Sequence, residues 1–437
     1  MKSTADLRPQ ALIDTLRDAK QQRAYLVWDS NARVLRASHP VLDGLAREVQ
    51  ADTRDFHEHE GVFLQIGPET GTLLGAFIHR TVRGQAAGGV RHWPYATVRD
   101  FLRDGLRLAR GMGRKCALAG LWWGGGKGVI ARQEGRDYRD PAYRQALYRE
   151  YGAFITSLRG CYVTAEDAGT VASDMAEIFR TTRFVTCIPP ELGGSGNPSF
   201  ATAKGVLCAM QGALDALGMG TLAGKSVAMQ GAGNVGAAMI QDLLDHGVTR
   251  VVATDIAEPH VVAARDRFAG KPVDVRIVAP SDVSIFETPC DLFAPNALGG
   301  VLNPDTIPLL NARIVCGAAN NQLLDEQRDD RALAERGITY VPDFVCNRMG
   351  IVNCANEQYG VLPDDPAVLR HFGRDWDNAL FVVTRAVLAR AAASRTTTSQ
   401  AANCLADELS AQPHPIWGHR GRAIMDALVA ERWQDKQ

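Results

Sequence analysis

The stretch Val227-Ala228-Met229-Gln230-Gly231-Ala232-Gly233-Asn234-Val235-Gly236 decides the fold of the second half of the chain. A short strand runs straight into a glycine turn, a helical pattern follows over 234–246, and the next strand, Arg250 to Thr254, ends at Asp255. In this Gly-x-Gly-x-x-Gly pattern Gly231 permits the tight turn, Gly233 lets a pyrophosphate approach the backbone at the helix N-terminus, and Gly236 lets helix and strand pack closely. Asn234 and Val235 complete the turn. Asp255 lies 19 residues after Gly236, where an acid accepts hydrogen bonds from ribose hydroxyls. A carboxylate there repels a 2′-phosphate, so NAD is favoured over NADP. The six-residue pattern alone is weak, because glycine turns are common; the flanking strand, helix and acid make it a dinucleotide site.

Working outward, strands and helices alternate. A helix spans 201–217, and strand-like segments follow at 225–230, 250–254, 274–278, 291–294, 313–316 and 338–341. That alternation implies a parallel, doubly wound sheet. The Gly-, Ser-, Asn- and Pro-rich run Leu192 to Ser199 reads as a linker, and from 366 onward the chain is helical. The first half mixes short strands (24–28, 33–36, 59–66, 72–80) with helices over 95–114 and 141–158, and a glycine-dense loop at Gly124-Gly125-Gly126-Lys127-Gly128. The expected fold is α/β with two domains. An N-terminal domain, 1–190, binds substrate and oligomerises, with C-terminal helices 375–437 packing back on it. A Rossmann-type domain, 191–374, binds NAD.

The front domain holds the candidate chemistry. Gly88-Gly89-Val90-Arg91 precedes the helix that carries Lys115; Lys127 lies twelve residues further on, and Thr164-Ala165-Glu166-Asp167-Ala168-Gly169-Thr170 follows. Two lysines and an acid beside glycine-rich backbone suit a carboxylate substrate and a proton transfer. One lysine holds the carboxylate as a fixed cation; that charge and desolvation lower the pKa of the other, whose neutral amine then acts as general base. A phosphate loop at Gly126-Lys127 fails, because Leu121 stands where its first glycine belongs and Gly128 replaces the Ser or Thr. Solvated surface charge is the competing reading, stronger for Lys115 than for Lys127.

The chain has 437 residues, 46% apolar and 22% charged, and a net charge of −1. That is an ordinary globular composition with no field to attract nucleic acid or an acidic membrane, which leaves small-molecule chemistry. Nine scattered cysteines with no Cys-x-x-Cys spacing argue against a zinc site or a disulfide framework and for reduced thiols in a cytosol. No signal peptide or transmembrane run is legible. His57-Glu58-His59-Glu60 looks like a metal cluster but lacks a third converging ligand, so it reads as structural. Trp122-Trp123 reads as packing, and His414, His419, Arg420 and Arg422 as a basic surface.

These motifs together resemble the glutamate/leucine/phenylalanine/valine dehydrogenase superfamily. The likeness runs from about 57 to 410: Gly88 to Ile130, Tyr162 to Thr170, Gly193-Gly194-Ser195-Gly196-Asn197-Pro198-Ser199, the Gly231 turn, Cys316-Gly317-Ala318-Ala319-Asn320-Asn321-Gln322-Leu323, and Pro342-Asp343-Phe344-Val345-Cys346-Asn347. The Gly193 segment and Gly124-Gly125-Gly126-Lys127 are similar to the leucine/phenylalanine branch. The resemblance implies that Lys115 binds the substrate α-carboxylate, that Lys127 activates water and polarises the carbonyl, and that Asp167 shuttles the amine proton. Gly88 and Gly89 then touch substrate through backbone, and Asn320 and Asn321 lie near nicotinamide and carboxylate. Ala87, Ala165, Ile351 and Cys354 line the side-chain pocket, whose small or apolar walls imply a large aliphatic or aromatic substrate. The implied reaction is NAD-dependent oxidative deamination of an L-amino acid in a homo-oligomer, dimer or octamer, with no metal.

Three departures stand out. Gly113-Arg114 replaces Thr-Tyr before the carboxylate-binding lysine, Arg348-Met349-Gly350 replaces Ala-Gly-Gly, and residues 1–50 precede the likeness. Arg114 is expected to point to solvent; Arg348 either does the same or adds a cation near the substrate. The rivals are a dehydrogenase for glutamate or another polar amino acid, with Arg348 as selector, and an NAD-binding regulatory protein without turnover.

Overall fold

The computed structural model describes residues 4–436. The chain divides into two compact units: one takes in the chain up to Gly196 with 354–361 and 408–437, the other 197–353 with 362–407.

In the first unit, eight strands of the described residues form a mixed sheet. Its order is Val34–Ala37, Arg23–Asp29, Gly61–Ile66, Leu73–Arg80, Gly124–Ala131, Ala86–Ala87, Tyr162–Val163, with Val90–Trp93 also paired to Gly124–Ala131. Leu73–Arg80 runs antiparallel to Gly124–Ala131, while Val90–Trp93 and Ala86–Ala87 run parallel to it. The segment expected as a glycine loop is thus a central strand, buried at every position. Glycine reads as a loop because it favours no regular structure; here its missing side chain is what lets neighbours close in. A Cβ on Gly125 would meet Ala109 O at 2.3 Å and Gly113 N at 2.7 Å. Those atoms belong to the helix Val98–Leu118, which therefore lies directly on the strand. A Cβ on Gly128 would meet the Tyr151 hydroxyl at 2.1 Å, so tyrosines close the opposite face.

The helix begins at Val98, not Tyr95, because Thr97 and Asp100 form a capping box: Asp100 N donates to Thr97 Oγ1 (3.1 Å) and Thr97 N to the Asp100 carboxylate (3.2 Å). It runs to Leu118 and so carries Lys115 in its last turn. The core beneath it gathers Phe77, Phe101, Leu102, Leu106 and Val129 with Leu12, Leu16, Leu26 and Leu45 from the N-terminal segment, which supplies a helix, two strands and a second helix.

In the second unit, six parallel strands of the described residues take the order Val273–Ile277, Arg250–Asp255, Ser226–Gln230, Leu292–Pro295, Ile314–Val315, Thr339–Tyr340. Numbered along this sheet, that is 3-2-1-4-5-6, the doubly wound order with its switch point beside Ser226–Gln230. The C-terminal helices depart from expectation. Leu380–Ser394 packs on Ser199–Ala216, where a Cβ on Gly212 would meet Phe381 O at 2.7 Å, and Ser399 N donates to Asp330 Oδ2 (3.0 Å). Small residues along Ser199–Ala216 make room for that packing within the second unit. Only the chain from Glu408 rejoins the first unit, where Trp433 stacks edge-on against Phe63 and donates to Ser157 Oγ (3.0 Å). No helix of the described residues is long and apolar enough to cross a membrane.

Gly125→Ala should lower unfolding free energy by about 3 kcal/mol or more, because neither the Ala109 carbonyl nor the strand can retreat without disturbing the sheet. Urea unfolding of the variant beside wild type measures it; a loss under about 1 kcal/mol would contradict the close helix–strand contact.

Candidate active site

Lys127 lies in the central strand with its side chain 2% exposed. Its ammonium donates to Asp167 Oδ2 at 2.5 Å. Asp167 sits in the loop after Tyr162–Val163, and its other oxygen accepts from Ala168 N (2.7 Å) and Arg91 Nε (3.0 Å). Burial opposes the charge on Asp167, but the Lys127 ammonium and the Arg91 guanidinium outweigh it and hold the carboxyl well below the usual carboxylate range. Burial lowers the Lys127 pKa and Arg91 adds to that, while Asp167 pulls the other way. The pair is thus an ionised carboxylate beside a lysine biased toward losing its proton, the arrangement a base needs.

Gly88 and Gly89 pass alongside. A Cβ on Gly88 would stand 1.9 Å from Gly126 O, and one on Gly89 would stand 2.4 Å from Glu166 O and 2.9 Å from Asp167 Cβ. Only glycine fits, so this backbone runs close beside the ion pair, with Gly88 N donating to Val163 O (3.1 Å) and Gly128 N donating to Gly89 O (3.2 Å). Tyr162 fixes this segment by donating to Gly88 O (2.5 Å). Ala87 pairs with Val163 and is buried, as are Ala165 and Cys354; Lys115 is half-buried. Cys354 Sγ lies 3.0 Å from Cys187 Sγ. Ile351 is buried too and counts with the second unit.

Arg91 is the residue that sequence reasoning quoted but did not single out. Besides Asp167, its Nη1 donates to both oxygens of Asp104 (3.0 and 3.2 Å), and Tyr95 donates its hydroxyl to Asp104 Oδ2 (2.6 Å). The signal was there: Arg91 follows Gly88-Gly89 with only Val90 between, at the start of a strand. Glu357 was missed entirely. Its carboxylate accepts from Cys187 N (2.9 Å), Ile188 N (3.3 Å), Ser195 N (2.9 Å) and the Ser195 hydroxyl (2.6 Å), and so fixes the segment read as a linker. It also holds Cys187 at φ +61°, a conformation a side chain normally avoids. Nothing local marks Glu357, because its partners lie over 160 residues away.

In the second unit Gly231 has φ +100°, and its N donates to Thr254 O (2.7 Å). Gly233 is the N-cap of the helix Asn234–Asp245, and a Cβ on Gly236 would lie 2.3 Å from Gly231 O. Asp255 Oδ2 accepts from Ala232 N (2.8 Å) and Oδ1 from Ala257 N (2.8 Å). Asn234 is exposed and Val235 half-buried at the first turn of the helix. The turn fits a dinucleotide: the space beyond Gly233 is open out to His260 at 3.5 Å, and Asn296 Nδ2, just past the strand Leu292–Pro295, is buried with no partner among the described residues. Asn320 and Asn321 are both exposed; Asn347 Nδ2 donates to Asn320 Oδ1 (2.9 Å), and Asn321 N to Asp343 Oδ2 (2.6 Å).

Both departing arginines are buried. Arg114, expected in solvent, is 8% exposed because its helix face lies on the sheet. Arg348 is 0% exposed, donates to the Asn378 carbonyl, and burial lowers its pKa to about 9. His59 is buried with its Nε2 on Leu106 O (2.8 Å) and its ring edge-on to His79, and burial holds its pKa near 3, so it is a neutral core histidine.

A Rossmann-ordered unit with a dinucleotide turn, and another unit with a buried Lys–Asp pair packed against glycine backbone, define an α/β dehydrogenase. Residues 72–184 match the Glu/Leu/Phe/Val dehydrogenase dimerisation domain, and residues 193–258 and 260–406 match the glutamate/leucine/phenylalanine/valine dehydrogenase domain. Leucine dehydrogenase of Geobacillus stearothermophilus is 43% identical over 70% of this chain and 79% of its own. Valine dehydrogenase of Streptomyces coelicolor is 38% identical over 82% and 93%. The crystal structure of L-tryptophan dehydrogenase from Nostoc punctiforme superposes with a TM-score of 0.66 at 33% identity, covering 80% of this chain and 96% of that one. The chain belongs to the glutamate/leucine/phenylalanine/valine dehydrogenase family. It is an amino-acid dehydrogenase, an oxidoreductase acting on CH–NH2 groups with a nicotinamide dinucleotide.

Glu357→Ala strands three buried backbone donors and should cost about 3 kcal/mol, with faster proteolysis between Cys187 and Ser195. Limited proteolysis with mass mapping checks this; unchanged cleavage there would contradict the anchoring role.

Proposed function

We propose that this protein oxidises a large aliphatic or aromatic L-amino acid to the 2-oxo acid and ammonia, reversibly, with NAD as hydride acceptor. The observation that carries the reading is the buried Lys127–Asp167 pair set against the backbone of Gly88 and Gly89. In this reading Lys115 holds the substrate carboxylate as a point charge, and the Gly88–Gly89 backbone orients the substrate beside Lys127. The turn from Gly231 to Gly236, braced by Asp255, would hold the dinucleotide, which would supply the acceptor for the hydride of the substrate α-carbon. Lys127, its proton affinity lowered by burial, deprotonates the water that attacks the resulting imine carbon. Asp167, held as an anion, takes and returns the proton on the departing amine. Asn320 and Asn321 contact the nicotinamide side of the site.

Several features support the finer points. Ala87, Ala165, Ile351 and Cys354 offer no charge to a polar side chain, and the relatives' names include leucine, valine and tryptophan dehydrogenases. Arg348 donates to a backbone carbonyl within the second unit, which speaks against a selector for a polar substrate. Asp255, whose carboxylate already braces the glycine turn, supports NAD, because a 2′-phosphate would meet a fixed negative charge. Match to a dimerisation domain supports a homo-oligomer, and nine unbridged cysteines fit a reducing cytosol.

Formation of reduced nicotinamide across a panel of L-amino acids tests the reading. Leucine, phenylalanine or tryptophan should be turned over, glutamate and alanine poorly, and NADP should replace NAD weakly. Lys127→Ala should cut kcat at least about a hundred-fold. The substrate panel in which glutamate is best would overturn the pocket assignment.

A second outcome concerns pH. The neutral amine of Lys127 is the working form, so kcat/KM for deamination should rise with pH and level off with a midpoint below the ordinary lysine value of 10.5. A rate that rises only above that value would contradict a lysine poised by burial.

A further inference from the structure

We infer that Arg91 is a positioning residue for this reaction: through one fork it fixes the proton-shuttling carboxylate of Asp167 and sets the charge felt by Lys127, and Asp104 holds that fork in place. The inference rests on the roles proposed above for Lys127 and Asp167.

Arg91 lies in Val90–Trp93, the strand that pairs with the Lys127 strand in the register Arg91↔Val129. Val90 N donates to Ala165 O (2.8 Å) and His92 N to Ala168 O (3.0 Å), so this backbone is stitched to the Asp167 loop on its other edge. Arg91 therefore leaves a segment held from both sides. Its Nε reaches Asp167 Oδ1, and its Nη1 reaches both oxygens of Asp104 on the helix Val98–Leu118. Tyr95 closes the chain by donating to Asp104. One planar guanidinium bridges two carboxylates, which a flexible ammonium cannot do with the same geometry.

The consequence for Asp167 is directional. With Oδ1 taken by Arg91 Nε and Ala168 N, the carboxylate cannot swing, and Oδ2 is the oxygen presented to Lys127. Arg91 is about one-fifth exposed, so it is partly screened, yet it lies close enough to bias both members of the pair. It stabilises the Asp167 anion and disfavours the Lys127 cation, and Asp104 acts on Lys127 in the opposite sense. Glu166, Tyr95 and Tyr162 also lie within reach of the Asp167 charge, and Arg107 of the same helix acts on Asp104. None of these replaces the Arg91 contact to Asp167.

The signs separate positioning from general structure. Removing the guanidinium lets Asp167 hold its proton to higher pH and lets Lys127 hold its proton to higher pH too. Asp167 stays ionised across the working range either way, so the rising limb of the kcat/KM profile, set by Lys127, is the one that should move up. Removing the Asp104 charge should move the Lys127 limb down.

The experiment compares pH profiles of kcat/KM on the purified full-length enzyme for wild type, Arg91→Gln, Arg91→Lys and Asp104→Asn, with L-leucine or L-phenylalanine and NAD. Arg91→Gln should shift the Lys127 limb up by roughly one unit. It should also lower kcat on the order of ten- to a hundred-fold with little change in KM, because a misaligned proton carrier slows chemistry rather than binding. Arg91→Lys, which keeps the charge, should return the Lys127 limb to its wild-type position while kcat stays reduced. Asp104→Asn should shift the Lys127 limb down. Lower activity in Arg91→Gln with that limb unmoved overturns the inference, as does full activity. If Arg91→Gln does not fold, Asp104→Asn decides: a downward shift supports the inference, and an unmoved or raised limb overturns it. Lys127→Ala and Asp167→Asn run alongside; if they keep wild-type turnover, the parent reading of the site has failed rather than this one.

Discussion

A lysine buried in a strand of glycines needs a counter-charge, and much of the first unit follows from meeting that need. Leaving an ammonium unpaired in such a place costs several kcal/mol or drives off its proton. Lys127 has Asp167 in contact, and Asp167 in turn is shared with Arg91, and Arg91 with Asp104. Each link is a charge that would be costly alone and is tolerable in the chain. The same arrangement lowers the lysine's affinity for its proton, because burial and Arg91 act together against the attraction of Asp167. Stability and reactivity are set by one balance.

Backbone proximity is the second constraint. Glycines at 88, 89, 125 and 126 let strand, helix and loop approach to distances at which a methyl group would collide with a carbonyl. Those absent side chains bring Asp167, on a distant loop, against Lys127. The second unit repeats the logic at Gly231 and Gly236, with Asp255 bracing the turn from the neighbouring strand end. There one carboxylate accepts from the amides of Ala232 and Ala257 and so holds the loop.

The added N-terminal segment and the returning C-terminus serve the same core from outside. Arg23–Asp29 covers the edge of Gly61–Ile66 and is itself covered by Val34–Ala37, which lengthens the sheet by two strands. Trp433 and His419 come back to the sheet, the latter on Glu60 at 2.8 Å. Glu357, from a helix that begins in the other unit, gathers the amides around Cys187 and Ser195 and sustains the one strained cysteine of the chain.

Legible in the sequence were the parallel sheet, its glycine turn, and the lysine and acid that the structure pairs, Lys127 and Asp167. Those features are local: strand, Gly231 turn, helix and Asp255 fall within thirty residues, and periodicity and glycine spacing report on such windows. Lys127 and Asp167 were legible for the same reason, each framed by a short motif. The tertiary structure alone decided that Gly124–Gly128 is a central strand, since a glycine run has no intrinsic preference and becomes a strand only when neighbours need the space. It alone buried Arg114 and Arg348, kept the helix Leu380–Ser394 with the second unit, and joined Arg91 to Asp104 and Glu357 to Cys187. Each of those outcomes depends on which surfaces meet across long sequence separations, where burial energy and the pairing of buried charge outweigh any local signal.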